Sequence, residues 1–476
     1  MRDVGDIHDV TALELATAIR HRELSPVEIV DHYLERIDRI GPSVGAFITV
    51  TGRAARERAK QAERAVLDGT PLPPLHGVPT AIKDLNHTAG VRTTHGSVLG
   101  LEDVPDFDDH VVELLAQAGT NSLGKTNVPE YGYPFYTENR IAPPARTPWD
   151  LSRSAGGSSG GAAAAVASGL LPFAQGSDGG GSLRLPCSVT GLYGIKPSRG
   201  RVSNGPASTD TTAFSCNGPI TRSVADAAAM LDAMAVPIPT EAYQTPSLPP
   251  GDTFLGYARR GDVPRMRIGR YIEPCAPDIT VDPDCVAAWE HASTLLAGLG
   301  HEVVDIDPPF TEEFWAVLQT LHRAGQTTRL VDLETREKIT PLARWMQETG
   351  SEVPVAEFLA AMKGIRMWSR RVIRATAGCD ALLTPTLAQP PRPIGWFTDG
   401  VAPEETLARM TRFSPFTGAY NATGQPCVSL PLWWNEGGLP IGVMLAGRPF
   451  DEATLISLSA QLEQAAPWRQ RVPDMW

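Results

Sequence analysis

Several features that would assign a function at once are missing from this chain. Its six cysteines, at 187, 216, 275, 285, 379 and 427, lie far apart and contain no C-x-x-C pair. That spacing excludes a compact zinc or dithiol motif and favours reduced, mostly buried thiols, as in a cytoplasmic protein, over a disulfide framework. No lysine- or arginine-rich stripe relieves the net charge of −12, so no nucleic-acid partner is expected. The most apolar stretch, GGAAAAVASGLLPFA, is broken by Ser168, Gly169 and Pro172 and is too short to span a bilayer, so no membrane association is expected. The opening MRDVGDIHDV shows neither the basic nor the apolar region of a secretory signal. No histidine follows His322, and His87, His95 and His110 have no ligand-like clustering, so neither a metal nor a cofactor is expected.

What is present suits a large globular core. Apolar residues make up 42% and charged residues 20% of 476, without repeats at solenoid or propeller periods. In SPVEIVDHYLERID, Ser25 reads as an N-cap, Pro26 as N1 and Glu28 as the closing member of a capping box. LHGVPTAIKDL reads as a buried strand, DDHVVELLAQAG as a helix, TNSLGKTN as strand or loop, and GGAAAAVASGL as a buried helix. RMRIGRY, VDPDCVAAWEHASTLLAGLG and HEVVDID then read as strand, helix, strand, and CDALLTPT and QPCVSLPL as further strands. The alternation predicts an α/β fold, a central mixed β-sheet covered by helices on both faces. A helical cap is expected over about 255–380. We expect one domain over 1–476, with N-terminal helices at 1–60, a core at 61–235, a linker and variable cap at 236–380, and a return to the sheet at 381–476.

Two short motifs match familiar patterns and fail on context. GTNSLGKT (119–126) satisfies the phosphate-loop pattern, but a helix precedes it and NVPEYGYP, with two prolines, follows where a helix should begin. GGSSG satisfies the nucleophile-elbow pattern, but RIAPPARTPWDLSRS before it is too rich in proline for a central strand, and no late histidine is available.

A longer pattern survives. The loops AGGSSGG (155–161) and GSDGGGSLR (176–184) flank the alanine helix, an arrangement foreign to a linker. Glycines there let backbone N–H groups converge on an anion. A serine nucleophile needs a base, and without a suitable histidine a neutral lysine can serve if burial lowers its pKa from about 10.4. Lys83, between apolar neighbours in VPTAIKDL, suits that role. Taken singly, Lys83 could equally be a surface lysine beside Asp84, and Ser158 and Ser182 turn residues.

The run from SRSAGGSSGGAAAAVASG through GSDGGGSLRLPCSVTGLYGIKPSRGRV to GPITRSVADAA resembles the amidase signature family, as do GVPTAIKDL, SLGKTNVPE and the late NATGQPCVSLPL. The resemblance covers most of the chain and is weakest over about 255–380. It implies an amidase signature fold and a Ser–Ser–Lys triad of Lys83, a bridging Ser158 that usually follows a cis peptide, and the nucleophile Ser182. It also implies an oxyanion hole from the N–H groups of Gly179, Gly180, Gly181 and Ser182. Ser159, Asp178 and Arg184 would support these loops. Many relatives carry GxTxNPW where this chain has PPARTPW, with Pro143, Ala145 and Thr147 at the differing positions, which puts the adjoining pocket wall in question.

Within the family, KTNVPEYG and SRSAGGSSGG resemble the bacterial branch of aryl acylamidases, nylon-oligomer cyclic-dimer hydrolases and urethane-cleaving enzymes. The implied substrate is a small-molecule bulky or aryl amide, with carbamates or esters as side activities, taken by a monomer or homodimer. Tyr131, Tyr133 and Phe135, with Trp315 or Trp345, would line an apolar pocket. The alternatives are the glutaminase component of a tRNA-dependent amidotransferase, which usually reads MGSSTENS at the KTNVPEYG position, and an inactive binding homologue.

Overall fold

The computed structural model describes residues 6–476 except 209, 262, 326, 328–331 and 333. Strands β1 (Phe47–Val50), β2 (Pro79–Lys83) and β3 (Asn121–Thr126) form a small sheet in the order β1-β3-β2. The large sheet contains β4 (Phe173–Asp178), β5 (Tyr193–Lys196), β6 (Cys216–Thr221), β7 (Arg267–Arg270), β8 (Glu302–Asp305), β9 (Ala381–Pro385), β10 (Cys427–Trp434) and β11 (Pro440–Gly447). Its order is β4-β6-β5-β10-β11-β9-β7-β8. The pairs from β4 to β9 are antiparallel, and β9/β7 and β7/β8 are parallel, so the sheet is mixed as the alternation of elements implied.

The buried interior explains why the central strands read as apolar runs rather than alternating ones. Helices Arg184–Thr190 and Pro283–Gly298 both pack against β10 and β11, whose inner residues are buried throughout. Every residue of the helix Gly160–Ala167 is buried as well, so GGAAAAVASG is core and not a spacer. Its glycines admit close backbone approach. A Cβ at Gly161 would lie 2.3 Å from the Asn127 nitrogen and 2.6 Å from the Ala46 oxygen.

The buried strand carrying Lys83 lies in the small sheet, where β2 runs parallel to β3. Two local expectations change. Within 255–380, β7, the helix Pro283–Gly298 and β8 extend the large sheet, because that segment is a strand–helix–strand unit with parallel pairing. The helical cap is therefore Glu312–Gly325, Pro341–Ser351 and Val355–Ala375. It is anchored by shared core: Phe314, Leu318 and Leu321 are fully buried in one cluster with Ala419, Tyr420 and Met444. At the helix Pro26–Val44, Ser25 caps by accepting from Val27 and Glu28 N–H, while its hydroxyl donates to Glu63 at 2.5 Å. The reciprocal capping box forms one helix earlier, between Thr11 and Glu14.

All six cysteines are buried and unbridged. Among the described residues no helix is long and apolar enough to cross a membrane.

Candidate active site

Lys83 ends β2, a strand buried at every position, and is itself fully buried. Its N–H donates to Gln175 Oε1 at 2.8 Å, which sets the strand end against β4. Its Nζ donates to Ser158 Oγ at 2.8 Å, Ser177 Oγ at 3.0 Å and the Ser177 carbonyl at 3.2 Å. No carboxylate is ion-paired with it, among the described residues. Burial pushes the amine down to about 7, with only the more distant charge of Asp178 opposing.

The neighbouring Asp84 does not hold Lys83 at the surface. Its carboxylate accepts from Thr94 N–H and hydroxyl and pairs with Lys125 at 3.5 Å. Lys125 is the lysine of the phosphate-loop pattern. It sits buried in β3 and donates to the Asn86 carbonyl at 2.6 Å and Thr93 Oγ1 at 2.7 Å, with no helix directly after it to hold a phosphate.

Ser158 follows a cis peptide from Gly157 and is buried. Ser159 braces the two loops: its N–H donates to the Ser182 carbonyl at 3.3 Å and its hydroxyl to the Ser177 carbonyl at 3.1 Å. The structure thus joins Lys83 to Ser158 by side chains, and the Ser158 loop to Ser182 through the backbone of Ser159.

The glycine loop is held from behind. Asp178 Oδ1 accepts from Gly181 N–H at 2.6 Å, and Oδ2 from Leu183 N–H at 3.2 Å. Arg184 donates to the same carboxylate from Nε and Nη2, each at 2.9 Å. Burial raises the Asp178 pKa, but Arg184, then Lys196 and Asn421, outweigh it and hold the carboxyl below the usual range. One expected role changes as a result. The Gly181 N–H is consumed by Asp178 and is no longer free for an oxyanion, because a charged acceptor lies directly behind it. The N–H groups of Gly179, Gly180 and Ser182 have no protein acceptor among the described residues.

Two further residues complete this support and were not singled out from sequence. On the helix Thr417–Thr423, Thr417 Oγ1 donates to the Gly180 carbonyl at 2.5 Å, and Asn421 Nδ2 donates to Asp178 Oδ1 at 2.9 Å. Their i, i+4 spacing puts both on one helix face. That spacing, within FTGAYNATGQP, was the available signal. Gly181 itself has φ of +138°, and a Cβ there would lie 2.0 Å from Leu185 Cδ1 and 2.3 Å from Thr417 Oγ1. Gly181→Ala is therefore expected to displace the loop and lower kcat about 10²-fold or more, measured beside urea unfolding.

Gly179, Gly180 and Ser182 face a cavity of about 400 Å³ that Tyr131, Tyr133 and Phe135 also line. Trp315 and Trp345 do not line it. They pack into apolar clusters, and Leu321 and His322 of the cap take the expected places. The PPARTPW segment is also absent from the wall: Ala145 and Thr147 are fully buried, and Thr147 donates to the Val189 carbonyl at 2.8 Å.

Ser182 and the glycine loop open on this cavity, while Lys83 and Ser158 are buried outside its lining. The sequence profile of the family described as Amidase matches residues 28–456. An acylamidase of Rhodococcus erythropolis is 33% identical, over 98% of each chain. A glutamyl-tRNA(Gln) amidotransferase chain from Geobacter metallireducens is 33% identical, over 97% of this chain and 98% of its own. A solved 6-aminohexanoate cyclic dimer hydrolase, complexed with substrate, superimposes with a TM-score of 0.90 at 29% identity, covering 99% of this chain and all of that one. The protein belongs to the amidase signature family. It is a hydrolase acting on amides.

Proposed function

We propose that the protein is a stand-alone hydrolase of bulky or aryl amides, with carbamates and esters as secondary substrates, working through Lys83, Ser158 and Ser182. The observation that carries this reading is the 2.8 Å contact of Lys83 Nζ with Ser158 Oγ, at an amine lowered to about 7. A neutral amine there can accept the Ser158 proton, and the Ser158 oxygen can accept the proton of Ser182. Ser182 Oγ then attacks the amide carbon. The N–H groups of Gly179, Gly180 and Ser182 are the donors for the oxyanion. Collapse breaks the C–N bond, and the proton held at Lys83 returns through Ser158 to the leaving amine. Water repeats the sequence on the acyl-enzyme, releasing the acid and restoring Ser182.

The aromatic wall of Tyr131, Tyr133 and Phe135 supports a bulky substrate. The KTNVPEYG segment supports a hydrolase that works without partner chains, as a monomer or homodimer. The buried, unbridged thiols suit a cytoplasmic setting.

Release of 4-nitroaniline from acyl anilides by the chain alone tests the proposal. Ammonia release from glutamine only after addition of partner chains would overturn it. Ser182→Ala is expected to abolish fluorophosphonate labelling and to lower kcat about 10⁴-fold or more. Because the base is the uncharged amine, kcat/KM should rise with pH and level off above about 7. Below that value it should fall about tenfold per pH unit, and a flat profile between pH 5 and 8 would exclude Lys83 as the base.

A further inference from the structure

The cap helix Val355–Ala375 buries Ala361, Ile365 and Val372, which lie on one side of it. On the other side it carries Lys363, Arg366, Arg370, Arg371 and Arg374, all exposed. Steps of three and four residues stack Lys363, Arg366, Arg370 and Arg374 on one face, so a basic stripe forms where the sequence shows no contiguous basic run. Between 358 and 379 there is no acidic residue, and five cations gather in a chain of net charge −12. Arginines elsewhere in the cap are paired, Arg336 with Glu348 at 2.7 Å and Arg344 with Glu337. Among the described residues none of the five side chains has an ion-pair or hydrogen-bond partner, and Arg371 lies over the Trp368 ring at 5.0 Å. Glu357 of the same helix is taken by Arg323 at 3.5 Å. Glu312 and Glu313, on the helix packed against this one, pair with none of the five. Apolar side chains share the exposed face at the same spacing: Val355 is 74% exposed, Leu359 60% and Met367 44%.

We propose that this face of the cap is a docking surface for the headgroup layer of an anionic lipid bilayer, which the protein binds peripherally. Five unpaired cations on one face call for an anionic partner. The interleaved apolar side chains call for a partner that also removes them from water, which a phosphate backbone in solution does not do. A bilayer surface offers both, charge at the headgroups and an acyl boundary a few ångströms deeper. The long stems of lysine and arginine can lie along apolar surface while their charges stay among the headgroups. The negative charge of the rest of the chain does not cancel this attraction, because exposed charges act over only about 10 Å at 0.1 M salt. It turns the other faces away and so fixes the orientation. The absence of an apolar span pointed away from membranes, but docking of this kind needs none. The inference does not depend on the amidase reading.

The test is co-sedimentation of the full chain with vesicles of phosphatidylcholine alone and of phosphatidylcholine with phosphatidylglycerol. The protein should bind the anionic vesicles and not the neutral ones, and should be released as salt rises toward about 1 M, where the screening length falls to about 3 Å. Each basic residue near such a surface contributes about fivefold, so Arg366→Glu/Arg370→Glu should weaken binding about 10²-fold or more. Arg366→Gln/Arg370→Gln should fall between that variant and the wild type. Leu359→Ser leaves the charge untouched and should weaken binding about fivefold. These sites are exposed, so urea midpoints should stay at the wild-type value. Equal binding to both vesicle types, binding to neither, or binding unchanged by the charge reversal overturns the proposal. So does retention on immobilised RNA without vesicle binding, which would mark a polyanion site, and so does a salt-sensitive self-association that the reversal abolishes without vesicle binding.

Discussion

Lys83→Met should abolish turnover and make the protein more stable at neutral pH. The loss of activity follows from removing the base, and triad members act as a unit, so kcat should fall about 10⁴-fold or more. The gain in stability follows from burial. An amine lowered from 10.5 to about 7 opposes folding by about 4 kcal/mol at pH 7, a cost that methionine, of similar length and apolar, does not carry. Loss of the bonds to Ser158 and Ser177 offsets part of this. The pH dependence separates the terms. Between about 7 and 10.4 the unfolded chain binds the proton and the folded chain does not, so wild-type stability climbs with pH in that window. Urea unfolding of both proteins at pH 7 and pH 10 should show the advantage of the variant shrinking. An advantage that stays constant would mean that Lys83 is not buried as an uncharged amine.

Asp178→Ala should have the opposite character, losing stability and activity together. Arg184 is fully buried, and Asp178 is its ion-pair partner at 2.9 Å. Removing one member of a buried pair strands the other charge and typically costs about 3–5 kcal/mol. Gly181 and Leu183 N–H lose their acceptor at the same time, so the loop bearing Ser182 is freed. We expect a drop in urea midpoint and a fall in kcat of about 10²–10³-fold, with KM changing less. Asp178→Asn keeps one carbonyl oxygen and should fall between the two. A variant that unfolds like the wild type would show that Arg184 finds another partner.

The two proposed experiments bear on different parts of the chain's legibility. Local context suggested only Lys83, a lysine in an apolar strand, and left it open; Ser158 and Asp178 became candidates through the resemblance of the glycine-loop motifs to the amidase signature family. The bond between Asp178 and the Gly181 N–H could not be read from sequence, since an N–H group's partner depends on how the loop turns back on its own aspartate. Sequence alone counts four amides in that loop and cannot say which are spent. Thr417 and Asn421 were missed for a related reason. They lie more than 230 residues from the loop they hold, and their i, i+4 spacing marks a shared helix face without showing what that face meets. The tryptophans were misplaced because an aromatic residue in an amphipathic helix fits a core and a pocket equally well.

Local pattern determined most secondary elements and the burial of the alanine helix, and the long motifs carried the resemblance to the family, which in turn implied the acid–base and nucleophile candidates. These are properties of contiguous residues, and short-range sterics and hydrophobic periodicity act within a few positions along the chain. Tertiary structure alone decided that β2 joins the small sheet, that the cap shares its core with Tyr420, which amides of the loop stay free, and that His322 lines the cavity. Each of those outcomes depends on groups far apart in sequence competing for the same space or the same hydrogen bond, and only the folded chain brings them close enough to compete.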